Sequence, residues 1–75
     1  MDWTLHIERN PNVMMGNPVF KGTRITVEYI LERLAQGADE SDLLANYEGL
    51  RSEHVRAALA YAAAMVRNDE LVATA

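Results

Sequence analysis

The chain has no cysteine. That excludes a disulfide framework and any thiolate metal site, and it fits a reducing compartment. Long apolar runs are also missing. The longest, Ala57 to Val66, is ten residues of alanine-rich sequence, too short to span a bilayer. Met1-Asp2-Trp3 is not a basic leader region, so no signal peptide is expected. Basic charge is short as well: seven Lys and Arg stand against eleven Asp and Glu, for a net charge of −4. Phosphate contacts supply most non-specific affinity for nucleic acid, so this balance works against broad nucleic-acid binding.

What charge there is falls unevenly. Residues 28–48 hold Glu28, Glu32, Asp39, Glu40, Asp42 and Glu48 against Arg33 alone. Residues 50–67 hold Arg51, Arg56 and Arg67 against Glu53. Lys21 and Arg24 form a second, smaller basic spot.

Seventy-five residues make one domain. A chain of this size buries only about 60% of its unfolded surface, so a homodimer is expected to support the core. Trp3 to Glu8 alternates apolar and polar residues, the period of a half-buried strand. Arg9-Asn10-Pro11-Asn12 breaks it with turn residues. A β-hairpin is expected over 18–25, with strands through Val19-Phe20 and Arg24-Ile25 and Lys21-Gly22 at the turn. Gly22 takes positive φ there without a Cβ clash. With so few strands, the sheet edge at Trp3, Leu5 and Ile7 is left for self-association.

Three helices follow. Val27, Ile30, Leu31, Leu34 and Ala35 mark one buried face of a helix over 27–36. Thr26 is placed to cap its start and Gly37 to end it. Asp39 caps a second helix near 40–47, with Asp42 at the N3 position; Leu43, Leu44 and Tyr47 form its apolar face. A third runs from about 53 to 67 with Val55, Ala58, Leu59, Ala62 and Val66 inward. Residues 68–75 read as a frayed tail.

Enzyme chemistry finds no constellation. Gly16 to Thr23 has the wrong order for a phosphate loop, because Lys21 precedes Gly22 and a strand follows. His6 and His54 stand in different elements with no second ligand at helical spacing, so no metal site or other cofactor is expected. Glu28 and Glu32 share a face one turn apart, but it is the solvated face of the first helix. Tyr29 and Tyr61 lie off the inward stripes, which suits either an interface or packing on the strands. The start of the third helix gathers Arg51, Ser52, His54 and Arg56. Arg can read guanine bidentately, and Ser can bond a phosphate or a base.

The string Asn10-Pro11 … Met15-Gly16-Asn17-Pro18-Val19-Phe20-Lys21-Gly22-Thr23-Arg24-Ile25-Thr26-Val27 resembles the signature of a small bacterial family. It is catalogued as domain of unknown function four-three-three and described as VapB-like antitoxins. Leu34-Ala35-Gln36-Gly37, Leu43-Leu44, Tyr47, Leu50 and Val55 to Ala62 extend the likeness over about residues 5–64. Two positions depart from it. Thr26 stands where the family often has Pro, and both suit a helix start. Arg51 stands where a Ser or Thr often caps the third helix, so Ser52 is expected to cap one residue later.

The fold expected is α+β and mainly α: a short N-terminal β segment over 1–26, then a three-helix bundle of helix-turn-helix type over 27–67. What the resemblance implies is a DNA-binding antitoxin and a PIN-like toxin as partner. Operator DNA would meet Arg51, Ser52, His54 and Arg56, assisted by Lys21 and Arg24. Trp3, Leu5 and Ile7 would join the dimer. A cytoplasmic location is expected, with no membrane and no small-molecule substrate. The competing class is a protein-interaction module without DNA binding, which the acidic first and second helices favour.

Overall fold

A computed structural model describes residues 1–68. Two strands, β1 (Ile7–Glu8) and β2 (Val19–Phe20), pair antiparallel with Ile7 opposite Phe20 and Glu8 opposite Val19. Three helices follow: α1 (Val27–Ala35), α2 (Glu40–Asn46) and α3 (Ser52–Asn68). The architecture is therefore small, α+β and mainly helical. The tail expected over 68–75 lies outside the described residues except for Asn68, the last residue given to α3.

The N-terminal strand is shorter than its alternation predicts. Trp3–Leu5 is a 3-10 turn. The Asp2 carboxylate accepts the Thr4 N–H at 3.0 Å and the Thr4 hydroxyl at 2.6 Å, a local bond that competes with extended backbone. The alternation then fails: Trp3 is half-buried, Leu5 is exposed, and Ile7 enters the core.

The turn at Lys21-Gly22 forms as expected. The Thr23 N–H donates to the Phe20 carbonyl at 3.0 Å, and Gly22 has φ +79°. The returning limb through Arg24-Ile25 is not a strand, however. It makes one isolated bridge, Thr26 to Val19, with the Phe20 N–H on the Ile25 carbonyl at 3.1 Å. Thr26 already caps α1, so too few residues remain for a ladder. The partner of β2 is β1 instead.

The first two helices are held at their ends by local bonds. The Thr26 hydroxyl accepts the Tyr29 N–H at 3.1 Å. At the other end of α1, Gly37 has φ +102°, which lets the Ala38 N–H reach the Arg33 carbonyl at 3.0 Å and the Gly37 N–H reach Leu34 at 3.1 Å. These are the two bonds of a Schellman ending. Asp39 and Asp42 form a reciprocal capping box on α2, at 2.9 and 3.1 Å. Bonds from the Asp42 N–H and the Ser41 hydroxyl hold the Asp39 carboxyl below the ordinary carboxylate range.

The core joins Phe20 and Ile7 of the sheet to Val27 and Ile30, Leu43, Leu50, and Val55, Ala57 and Ala58 of α3. Each fully buried Val, Ile, Leu or Phe side chain here is worth about 1.5–3 kcal/mol. The inward face of α3 differs from its predicted stripe. Ala57 is fully buried, whereas Leu59 and Val66 are 51% and 66% exposed. Alanines carry little transfer energy each, so an alanine-rich helix sets its rotation by close approach rather than by its larger side chains. Tyr61 packs against the core, with the Trp3 ring edge-on to it at 4.9 Å.

Candidate nucleic-acid interface

The connection from α2 to α3 sets the candidate surface. Leu50 is buried and anchors the turn; Arg51 follows at the position before the first helical residue. The Arg51 carbonyl accepts the His54 N–H at 2.9 Å. In return, the Arg51 N–H donates to His54 Nδ1 at 2.8 Å. His54 thus takes the N3 role that Glu or Gln plays in a capping box. The bond assigns the ring proton to Nε2.

His54 is half-buried. Its ring lies 5.3 Å from the Phe20 ring and 5.9 Å from that of His6, centre to centre. Desolvation, then the neighbouring His6, hold its pKa below the ordinary 6.5; Arg51 acts in the same direction and Glu53 opposes it. The neutral ring that results is the form able to accept the Arg51 N–H.

Ser52 is the first residue of α3 rather than its cap. Its hydroxyl donates to Glu40 Oε2 at 2.9 Å and accepts a longer bond from Arg56 Nη1 at 3.4 Å. Of the four residues that the sequence gathers here, Arg51 and Arg56 are exposed, while Ser52 and His54 are half-buried and bonded within the molecule. Lys21 is exposed, and its N–H bonds the His6 carbonyl at 2.8 Å, beside the His6–His54 pair. Arg24 instead lines a groove of about 360 Å³ with Met14, Tyr29 and Tyr47.

Several contacts escape sequence reading. The Tyr29 and Tyr47 hydroxyls lie 2.8 Å apart and their rings meet edge-on. Arg9 Nη2 donates to the Tyr61 hydroxyl at 3.0 Å. The His6 and His54 rings meet edge-on although 48 residues separate them. None of these pairs shares a helical or strand period, so no local pattern reports them. Among the described residues, no group of three or more His, Cys, Asp or Glu is gathered to hold a metal ion. No described helix is long and apolar enough to cross a membrane.

The class defined by this architecture is a small domain in which a two-stranded sheet backs three helices and the last helix follows a tight turn. The family model for DUF433, described as a protein of unknown function, matches residues 7–62. The chain belongs to the DUF433 family. It is similar to a DUF433 member protein from Anabaena variabilis whose crystal structure was solved at 2.00 Å, with 35% sequence identity and a TM-score of 0.72. The match covers 91% of this chain and 64% of that one, so this chain spans under two thirds of its relative's length. No curated protein matches the chain.

Proposed function

We propose that the chain is an antitoxin-like DNA-binding module that meets operator DNA with the start of α3, acts as a homodimer and binds a PIN-like toxin protein. One observation carries the reading. Arg51 and Arg56 are exposed at the beginning of the longest helix, directly after a short helix and a turn. The positive pole of α3 adds to their charge, and Lys21 stands near on the His6 side. Exposed Leu5 and Met1 offer apolar surface for the second copy; Ile7 is committed to the core.

The experiment is a fluorescence titration of the DNA upstream of the gene. Binding should be salt-sensitive, and Arg51→Ala with Arg56→Ala should abolish it at moderate salt while the circular dichroism spectrum is unchanged. If wild type shows no salt-sensitive binding, alone or with the protein encoded next door, the DNA reading fails.

A second reading, an interaction module without DNA, is favoured by the acidic side chains at the same place. Glu40 holds the Ser52 hydroxyl, and Asp39 and Asp42 are exposed beside it on α2.

A further inference from the structure

A trough with two lobes runs between α1, α3 and β1. The larger lobe, about 420 Å³, is lined by Leu31, Ala35, Glu28 and Glu32 of α1. The smaller, about 250 Å³, is lined by Trp3, Ile7, Glu8 and Met65. Both touch Arg9, Pro18 and Tyr61, so the lobes adjoin. The Arg9–Tyr61 hydrogen bond stands at their junction. The floor is apolar, with aromatic and thioether surface of the kind enriched in protein interfaces. Glu8, Glu28 and Glu32 are exposed and give the rim three carboxylates, against the single guanidinium of Arg9, which is bonded to the neutral Tyr61 hydroxyl.

We infer that this trough docks an amphipathic helical segment of a protein partner, with Lys or Arg flanking its apolar face. The apolar floor calls for an apolar stripe, and the three rim carboxylates select cations beside it. Other occupants meet like charge. A second copy in a two-fold contact would set this acidic rim against itself. The chain's own last residues carry Asp69 and Glu70 and no base. DNA meets a rim that is net acidic. A helix fits better than a strand, because β1 is two residues long and cannot template a ladder. The walls, by contrast, are two helices whose ridges can receive a third. The inference deepens the proposed function by giving the protein partner its chemistry, and it rests on that reading's claim that there is such a partner.

The test uses the full chain, ¹⁵N-labelled, and two synthetic helical peptides of about 18 residues with one shared apolar face. One carries Lys on its flanks and the other Glu. The Lys peptide should shift the amides of Leu31, Ala35, Tyr61 and Met65, and the Glu peptide should not. Ala35 is exposed, so Ala35→Arg keeps the helix while filling the larger lobe; it should weaken the Lys peptide about tenfold or more. Glu28→Gln with Glu32→Gln should weaken it about fivefold. Equal binding of both peptides, binding of neither, or shifts centred on Leu59 and Val66 would overturn the inference. So would sedimentation showing a wild-type dimer that Ala35→Arg dissociates, since the trough would then belong to a second copy. Arg51→Ala with Arg56→Ala serves as the separating control: it should lose DNA and keep the Lys peptide, so either claim can fail without the other.

Discussion

At the first turn of α3, three of the four candidate contact side chains already have partners inside the molecule: Ser52 holds Glu40, His54 holds the Arg51 N–H, and Arg56 reaches Ser52 through a longer bond. In the trough, Leu31, Tyr61 and Met65 are only partly covered, and the acids around them stand in solvent. The first surface is polar, largely satisfied and fixed in shape. The second is apolar and incompletely covered. A satisfied polar group gains little from a new partner, because it exchanges one bond for another; an uncovered apolar side chain gains with every ångström squared removed from water. Under the proposed function, the arginines would make charge-driven, salt-sensitive contact, and the trough area-driven contact.

The largest disturbance that tests this pairing is Phe20→Ala. Phe20 is fully buried and touches the His54 ring side of α3, so its loss should cost about 3–5 kcal/mol. A denaturant titration should show this, and both surfaces should fail together. If DNA binding survived in a protein so destabilised, the first turn of α3 would not depend on the shared core.

Gly22→Ala should act on the β side alone. An added Cβ would meet nothing within 4 Å, yet φ is +79°, so the cost is backbone strain of about 1 kcal/mol or more. A thermal melt equal to wild type would remove this account of the turn.

His54 separates capping from titration. Its folded pKa lies below the ordinary 6.5. Above about pH 6.5 the ring is neutral in both states and the cap is complete. As pH falls below that value, the unfolded chain takes a proton that the folded chain resists, so stability declines until pH reaches the lowered folded pKa. His6, Glu53 and Arg51 are the charged or chargeable groups that act electrostatically on the ring. His54→Ala should cost about 1 kcal/mol at neutral pH. His54→Gln should keep the N3 acceptor and flatten the decline between neutral and mildly acid pH, read by urea titrations. An unchanged acid slope in His54→Gln would place the pH dependence elsewhere.

The smallest expected effect is at Glu40. Glu40→Gln should change stability by less than about 0.5 kcal/mol, yet it removes an acid beside Arg51 and Arg56. DNA affinity should rise a few-fold while peptide binding in the trough stays constant. An unchanged DNA affinity would mean that α2 lies away from the phosphates.

Much of the fold was legible from local chemistry. Thr26, Gly37 and the Asp39–Asp42 pair mark helix ends by bonds made within a few residues, and each forms as its residue type predicts. The Lys21-Gly22 turn is of the same kind. The misread parts are those that distant residues decide. Trp3 to Leu5 has the period of a strand, but Asp2 captures Thr4 and Trp3 turns to Tyr61 on α3. The rotation of α3 buries Ala57 and Ala58 and leaves Leu59 exposed, which no alanine-rich stripe can announce. At the candidate interface, the spacing of Arg51, Ser52, His54 and Arg56 located the helix start. It could not report that Glu40 and His6 would engage two of them, since those partners are 12 and 48 residues away.

The most direct test of the central claim, that the arginines at the start of α3 make a charge-driven DNA contact separate from the trough, is the salt dependence of operator binding. Anisotropy of a labelled duplex would be measured from about 50 to 200 mM salt for wild type, for Arg51→Ala with Arg56→Ala, and for Ala35→Arg. The account predicts a steep decline for wild type and Ala35→Arg alike, and for the arginine pair weaker binding that is lost at moderate salt, with a log–log slope shallower by about two per domain at the low-salt end where binding is still read. A slope that is the same in all three proteins, or no salt-sensitive binding by wild type, would contradict it.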